Sequence, residues 1–167
     1  RSSWWVVFVI YTPILMEISG KGALVGAAIV SIGTAWTFTV PFWGWIARRY
    51  GLRRLFQAGF TITALISFAI YQCVDLGFDP TFLLIFCALG ATILDGGGNV
   101  LFYRATRPFE RAEMTGVFLS YRDISQLAPP GLFAVLLKFF TLPTVFVAAS
   151  IWLCTAVYYS RHIPKRM

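Results

Sequence analysis

The sequence predicts an all-α membrane protein with six transmembrane helices, and three observations lead to this fold class. Of the 167 residues, 58% are hydrophobic and only 13% are charged, whereas an average soluble domain is about one quarter charged. The apolar residues fall into six runs, most of them close to the ~20 residues that a helix needs to cross the hydrocarbon core. The charged residues, with a net charge of +7, collect between these runs.

The predicted helices extend from one charged or turn-rich segment to the next. Backbone groups in lipid must be hydrogen-bonded within their own segment, so a helix is expected for each run. The first run is short, and Pro129-Pro130 interrupts the fifth, either as a plain kink or as a place where helix halves bend. The approximate limits are Trp4–Met16, Ala23–Ala47, Leu55–Val74, Thr81–Tyr103, Met114–Leu137 and Pro143–Ser160.

The charges between the runs alternate and predict the orientation of the helices. Arg1 precedes the first run, and the connections after the second and fourth runs and the C-terminal tail are strongly basic. The other three connections contain few basic residues, Lys21 and Lys138, and the middle one carries Asp75 and Asp79. Because positive charge accumulates on the cytoplasmic side, both termini are predicted to be cytoplasmic. Six spans is an even number, which also places both termini on the same side of the membrane.

The residue types that catalysis or metal binding requires are scattered. Cys73, Cys87 and Cys154 lie in separate apolar runs, and His162 is the only histidine. The cysteines are predicted to be buried small side chains and His162 a solvated one, rather than a metal site or a disulfide framework, and no cofactor is implied. The basic clusters are short and separated by apolar runs, which argues against nucleic acid as a partner. We therefore expect neither an enzyme nor a nucleic-acid-binding protein.

Two connections resemble those of a known family. The motif Gly44-x-x-Ala47-Arg48-Arg49-x-Gly51-x-Arg53-Arg54 resembles the cytoplasmic loop motif of the major facilitator superfamily, which joins the second and third helices of a six-helix half. The segment RATRPFERAEMTGVFLSYRD, residues 104 to 123, is similar to the family's loop between the tenth and eleventh helices. Gly44 is expected to permit close helix approach and Gly51 a tight turn. Arg48 stands where the family usually has an acid.

The resemblance implies half of a major-facilitator fold, built as two inverted three-helix repeats at about 1–75 and 80–160. The altered motif and the absence of an initial methionine indicate the C-terminal half. The implied function is secondary active transport of a small solute across the inner or plasma membrane by alternating access. The implied partners are the lipid bilayer, the missing six-helix half, and a solute with a proton or sodium as candidate coupling ion. The alternative is a six-helix membrane assembly or scaffold protein that does not transport.

Asp95, Arg122 and Asp123 are the ionisable residues inside the predicted spans. Asp95 comes nine residues before Arg104, and Arg122 comes nine residues after Glu113. Each is therefore ~13 Å along its helix from the same connection. We expect an Asp95–Arg122 pair in the bundle.

Further candidates for transport or gating flank this pair. Asn99 is one turn from Asp95, Gln126 is one turn from Arg122, and Asp123 points ~100° away from Arg122. The glycines of the segment DGGGN, residues 95 to 99, are expected to weaken the helix as a flexing site would. Three roles for the pair remain open: a structural ion pair, a substrate or proton site, and a cytoplasmic gate.

Overall fold

The computed structural model describes residues 2–162, apart from the side chains of residues 99 and 103–105. This part of the chain contains helices and turns and no strand, which confirms the all-α class. Arg1, Lys165 and Arg166, which contributed to the predicted orientation, lie outside the described residues. The α-helices are α1 Ser2–Ile18, α2 Ala23–Ala35, α3 Val40–Tyr50, α4 Leu52–Asp75, α5 Thr81–Ala105, α6 Arg111–Leu137 and α7 Thr144–Ser160.

The limits of all six predicted helices agree with these bounds to within one helical turn, and the second predicted helix comprises α2 and α3. Between them the chain tightens into a 3₁₀ turn at Trp36–Thr39. Pro41 has no N–H to donate to the Thr37 carbonyl, and the Val40 N–H donates to that carbonyl instead. Pro41 is therefore accommodated by a local tightening within one continuous helical segment, Ala23–Tyr50.

Within the described residues, three helical segments are long and apolar enough to cross a membrane: Ala23–Tyr50, Leu52–Asp75 and Thr81–Phe102. The prediction of six such spans is met only in part. Helices α1 and α7 are apolar but contain 17 residues each, or ~25 Å of helix against a hydrocarbon core of ~30 Å. Helix α6 has 27 residues and is long enough to cross a membrane. Arg122, Asp123 and the prolines make its middle too polar to count as an apolar span.

Helix α4 is the central element of the packing, and it contacts α5 along one side and α7 along another. Helix α1 packs against α2 and α6, while α2 and α3 pack against α5. The main core joins α1, α4, α5 and α7 through buried side chains such as Phe8, Ile70 and Phe146. A smaller core, which includes Leu55 and Leu94, joins α3, α4 and α5. These two cores hold α5 in place, and α5 carries one wall of the site described next.

Candidate functional site

A cavity of about 540 Å³ opens between the helices and brings Asp95 of α5 and Arg122 of α6 into one site. We call it the central cavity. Its other lining residues are uncharged and come from every α-helix except α2 and from the 3₁₀ turn after α2, so that no single segment of sequence defines it. They are Ser2, Ser3, Thr37, Val40, Phe56, Leu94, Gly98, Phe118, Tyr121, Ser125 and Trp152.

Asp95 is half-buried on the α5 wall of the cavity. The next residue, Gly96, allows α5 to pack closely against α3. A Cβ at Gly96 would lie 2.8 Å from the Trp43 Cβ and 3.1 Å from the Val40 carbonyl oxygen, which is too close for a side chain. A Cβ at Gly97 would come within 3.1 Å of the Phe56 ring. Close packing of α5 on α3 therefore requires Gly96, whereas a Cβ at Gly97 would make the Phe56 ring shift by a few tenths of an ångström.

Two sequence-based interpretations concern these glycines and Gly44. Helix α5 continues without interruption through residues 95 to 99, and the expected weakening of the helix at its glycines stays a prediction. Gly44 was expected at a close helix approach, and its backbone nitrogen would lie 3.2 Å from a Cβ at Gly96, but a Cβ on Gly44 itself would meet nothing within 4 Å. The glycine that the approach of α3 and α5 requires is Gly96, on the opposite helix.

Arg122 lies on the α6 wall, where its side chain is exposed. Helix α6 packs against α1 and has little close contact with α5, although these helices are consecutive in the chain. They approach each other where the rings of Phe102 and Phe118 lie 4.7 Å apart. Beyond this contact the central cavity separates them, with Asp95 and Arg122 on its walls. The direct ion pair between these two side chains stays a prediction.

Two of the remaining predicted candidates are not brought to the cavity wall. Asp123 is exposed and Gln126 is half-buried, and neither lines the central cavity. The helical rotation of ~100° per residue explains why Asp123 faces away from the wall that Arg122 occupies. The Asn99 side chain lies outside the described residues.

Ser3, Thr37 and Trp152 line the cavity but were missed in the sequence. Ser3 stands at the start of a run in which polar residues are scarce, and this was the signal available for it. Its hydroxyl donates a hydrogen bond of 2.7 Å to the Ser125 carbonyl oxygen of α6. In a regular helix that carbonyl would accept the N–H of residue 129, but Pro129 has none. Ser3 therefore satisfies the carbonyl that the proline leaves open and joins α1 to α6 beside the cavity.

The loop motif between α3 and α4 has the tight turn that the sequence predicts. Gly51 has φ +91°, a conformation that favours glycine, and its N–H donates to the Ala47 carbonyl oxygen at 3.0 Å. Arg48 is exposed, and it lies with Arg49 in the last turn of α3, where cations complement the helix dipole. The Arg49 guanidinium lies 5.6 Å from the centre of the Trp45 ring.

Arg53 and Arg54 begin α4 and, with Tyr50, Gly51 and Gln57, line a separate cavity of about 500 Å³. Arg54 is exposed and Arg53 half-buried. The four arginines of the motif thus surround one helix–helix connection. This basic end of the bundle lies away from the central cavity, since no arginine of the motif lines it.

At the other end of α4, an ion pair joins two connections that are far apart in sequence. The Lys21 ammonium, between α1 and α2, donates to a carboxylate oxygen of Asp79, between α4 and α5. The other Asp79 oxygen accepts the Thr81 N–H at 3.0 Å and the Thr81 hydroxyl at 2.6 Å. These hydrogen bonds, chiefly that from Lys21, lower the pKa of Asp79 from its usual 3.8 to about 2.

Comparison of the chain with protein-family models, curated proteins and solved structures finds no match in any of the three. In the part of the chain that the structure describes, no group of three or more His, Cys, Asp or Glu residues is placed to hold a metal ion. The central cavity is thus the candidate site that the geometry supports, with two charged side chains among serine, threonine, aromatic and aliphatic groups.

Proposed function

We propose that this chain is one six-helix half of a secondary active transporter of the major facilitator type, in the inner or plasma membrane with both termini in the cytoplasm. The observation that carries the proposal is the central cavity, where Asp95 and Arg122 lie on the walls of an apolar helical bundle. Charged residues inside a membrane are costly and mark substrate or ion pathways. The short α1 and α7 and the polar α6 would then cross the bilayer as parts of the bundle, packed against the longer helices.

The packing of the helices supports two interleaved three-helix units. If α1 to α4 form the first unit and α5 to α7 the second, the first helix of each unit packs against the middle segment of the other. Thus α1 contacts α6, and α5 contacts α2 and α3. The last helices of the two units, α4 and α7, pack against each other. This exchange of partners is what inverted repeats with a shared midplane site would produce.

The distribution of charge supports the proposed orientation. Lys21 and Asp79 bring the α1–α2 and α4–α5 connections together at one end of the bundle. The four-arginine connection follows α3 and precedes α4, so it lies at the opposite end. Positive charge concentrates on the cytoplasmic side of membrane proteins, which assigns the arginine end to the cytoplasm and the Lys21–Asp79 end to the outer side.

The exposed side of α6 supports a second half as the partner. Large apolar side chains such as Ile124, Leu127 and Val135 are exposed on this helix. Together with the open wall that carries Arg122, they form a surface that a second six-helix unit would cover. The central cavity would then lie between the halves, and rocking of one half against the other would expose it to each side in turn.

The proposal is tested by labelling that needs no knowledge of the solute. In the full-length protein without its native cysteines, Tyr121→Cys places a thiol on the cavity wall. An impermeant maleimide should modify it in both right-side-out and inside-out vesicles, because alternating access opens the cavity to each side. Leu65→Cys, on an exposed face of α4, serves as the matched control in lipid and should react in neither. Modification of the cavity cysteine from one side only would favour the non-transporting scaffold.

A further inference from the structure

We infer that the second cavity, at the connection between α3 and α4, binds the phosphate group of an anionic phospholipid. We call it the arginine cavity. It rests on the membrane placement in the proposed function but not on transport, so it applies to a transporter and to a scaffold alike. The cavity has a volume of about 500 Å³ and is lined by Tyr50, Gly51, Arg53, Arg54 and Gln57.

The positive charge at the arginine cavity has no negative counterpart in this part of the protein. Residues 22 to 74 contain four arginines and no acidic residue. Helices α5 and α7, which pack against α4, contain one acid, Asp95, and it lines the central cavity instead. Among the described residues, neither Arg53 nor Arg54 forms an ion pair with a carboxylate. The cavity therefore attracts an anion from outside the chain.

The lining of the cavity fits a phosphate group. Arg53 and Arg54 precede Gln57 by four and three residues, so both arginines lie on the side of α4 that carries Gln57. A planar guanidinium can donate two parallel hydrogen bonds to phosphate oxygens. The Gln57 amide and the Tyr50 hydroxyl are further donors on the same wall. Two charged and two neutral donors thus converge on one open space.

Aromatic side chains beside the cavity indicate lipid, rather than soluble phosphate, as the source of the anion. Phe42, Trp45 and Tyr50 are exposed on α3, and the rings of Phe42 and Trp45 stack with their centres 6.1 Å apart. The Arg49 guanidinium lies 5.6 Å from the Trp45 ring centre and 5.9 Å from that of Tyr50. Because Trp and Tyr collect at the headgroup level of a bilayer, these rings place the arginines at the depth of lipid phosphates. Basic cavities between transmembrane helices on the cytoplasmic side bind anionic headgroups.

The experiment compares two phospholipids that share their acyl chains and differ in charge. Phosphatidylglycerol is anionic, and phosphatidylcholine is zwitterionic. Each is titrated into the purified full-length protein in mild detergent, and bound lipid is counted by native mass spectrometry. We expect phosphatidylglycerol to bind about tenfold or more tighter, as two arginines facing one headgroup would give. Equal binding of the two lipids would overturn the inference.

Paired variants test whether the arginine cavity, rather than diffuse surface charge, holds the lipid. Arg53→Gln with Arg54→Gln should reduce the preference for phosphatidylglycerol to about twofold or less. Arg48→Gln with Arg49→Gln removes the same charge from the same connection but no lining residue, and it should retain most of the preference. Equal losses in the two pairs would contradict a defined site.

Single variants keep the test independent of the stability of the double variant. Arg53→Gln and Arg54→Gln should each lower the preference by about threefold. An unchanged gel-filtration profile and unchanged binding of phosphatidylcholine show that a variant is folded. An unchanged preference in both single variants would overturn the inference.

Inorganic phosphate separates the two sources of the anion. It should not displace phosphatidylglycerol at equal concentration, because it lacks the acyl chains that hold a lipid beside α3 and α4. Displacement at equal concentration would assign the cavity to soluble phosphate and overturn the lipid. Lipid binding in detergent does not depend on alternating access, so the inference and the proposed function fail separately. Equal binding of the two lipids leaves two-sided labelling of Tyr121→Cys unaffected, and one-sided labelling leaves the lipid preference unaffected.

Discussion

The Ser3 hydroxyl donates to the Ser125 carbonyl oxygen at 2.7 Å, four residues before a proline that cannot donate to that carbonyl. This contact joins the first turn of α1 to the middle of α6. Both serines also line the central cavity. A proline in the middle of a helix thus creates a free acceptor, and a side chain from another helix uses it to fix one wall of the site.

Ser3→Ala should destabilise the protein by about 1 kcal/mol, because it leaves the half-buried Ser125 carbonyl without this donor. Ser120→Ala is the matched control, since the Ser120 hydroxyl bonds within its own helix to Gly116 on an exposed face. Chemical unfolding of the purified protein in mild detergent gives both values. The loss of stability should be clearly larger for Ser3→Ala than for Ser120→Ala.

A double-mutant cycle tests the reason for this cost. Pro129→Ala returns an N–H that can reach the Ser125 carbonyl, so Ser3→Ala should cost less in the Pro129→Ala background than in the original protein. Additive effects of the two substitutions would show that Ser3 and the proline act independently.

Asp79→Asn should cost less than about 1 kcal/mol at neutral pH, because the ion pair with Lys21 is exposed to solvent. The pKa of Asp79 is lowered to about 2 in the folded protein, so the carboxylate stabilises the fold above its usual pKa of 3.8. That contribution is lost as the pH falls from about 4 towards about 2. Unfolding measured across this range should show the stability of the original protein approaching that of Asp79→Asn.

The control for this pH dependence is Asp75→Asn, at the exposed end of α4. This substitution should leave the acid limb of the stability curve unchanged. If the loss of stability between about pH 4 and about pH 2 persists in Asp79→Asn, other carboxylates cause the pH dependence.

Gly96→Ala should destabilise the protein by about 1–3 kcal/mol, because its Cβ would press against Trp43 and the Val40 carbonyl and push α5 away from α3. The neighbouring Gly98→Ala adds a Cβ that meets nothing within 4 Å. It should be neutral or stabilise by up to about 1 kcal/mol, since alanine favours a helix over glycine. Thermal unfolding of the two variants separates packing from helix propensity, and equal shifts would contradict the close approach at Gly96.

The limits of the helices could be predicted well from the sequence, because each limit coincides with a change from apolar residues to charge, glycine or proline. Asp95 and Arg122 could also be found, since an ionisable residue in an apolar run stands out locally. The neighbours of each helix could not be found in this way. The packing of α6 on α1 rather than on α5 depends on complementary surfaces far apart in the chain. For the same reason the sequence pointed to Gly44 but not to Gly96, the glycine on the facing helix that the contact requires.

The proposed orientation predicts that the two ends of α4 are reached from opposite sides of the membrane. Phe78→Cys, in the exposed α4–α5 connection, should react with an impermeant maleimide added to intact spheroplasts, whereas Arg54→Cys, at the arginine end, should react only after permeabilisation. Both substitutions are made without the native cysteines, and each protein is checked for equal expression. The arginines hold their end in the cytoplasm because moving positive charge across the bilayer during insertion is unfavourable. Labelling of both cysteines from the same side would contradict a membrane-spanning α4, and the reverse pattern would invert the topology on which the assignment of the two termini depends.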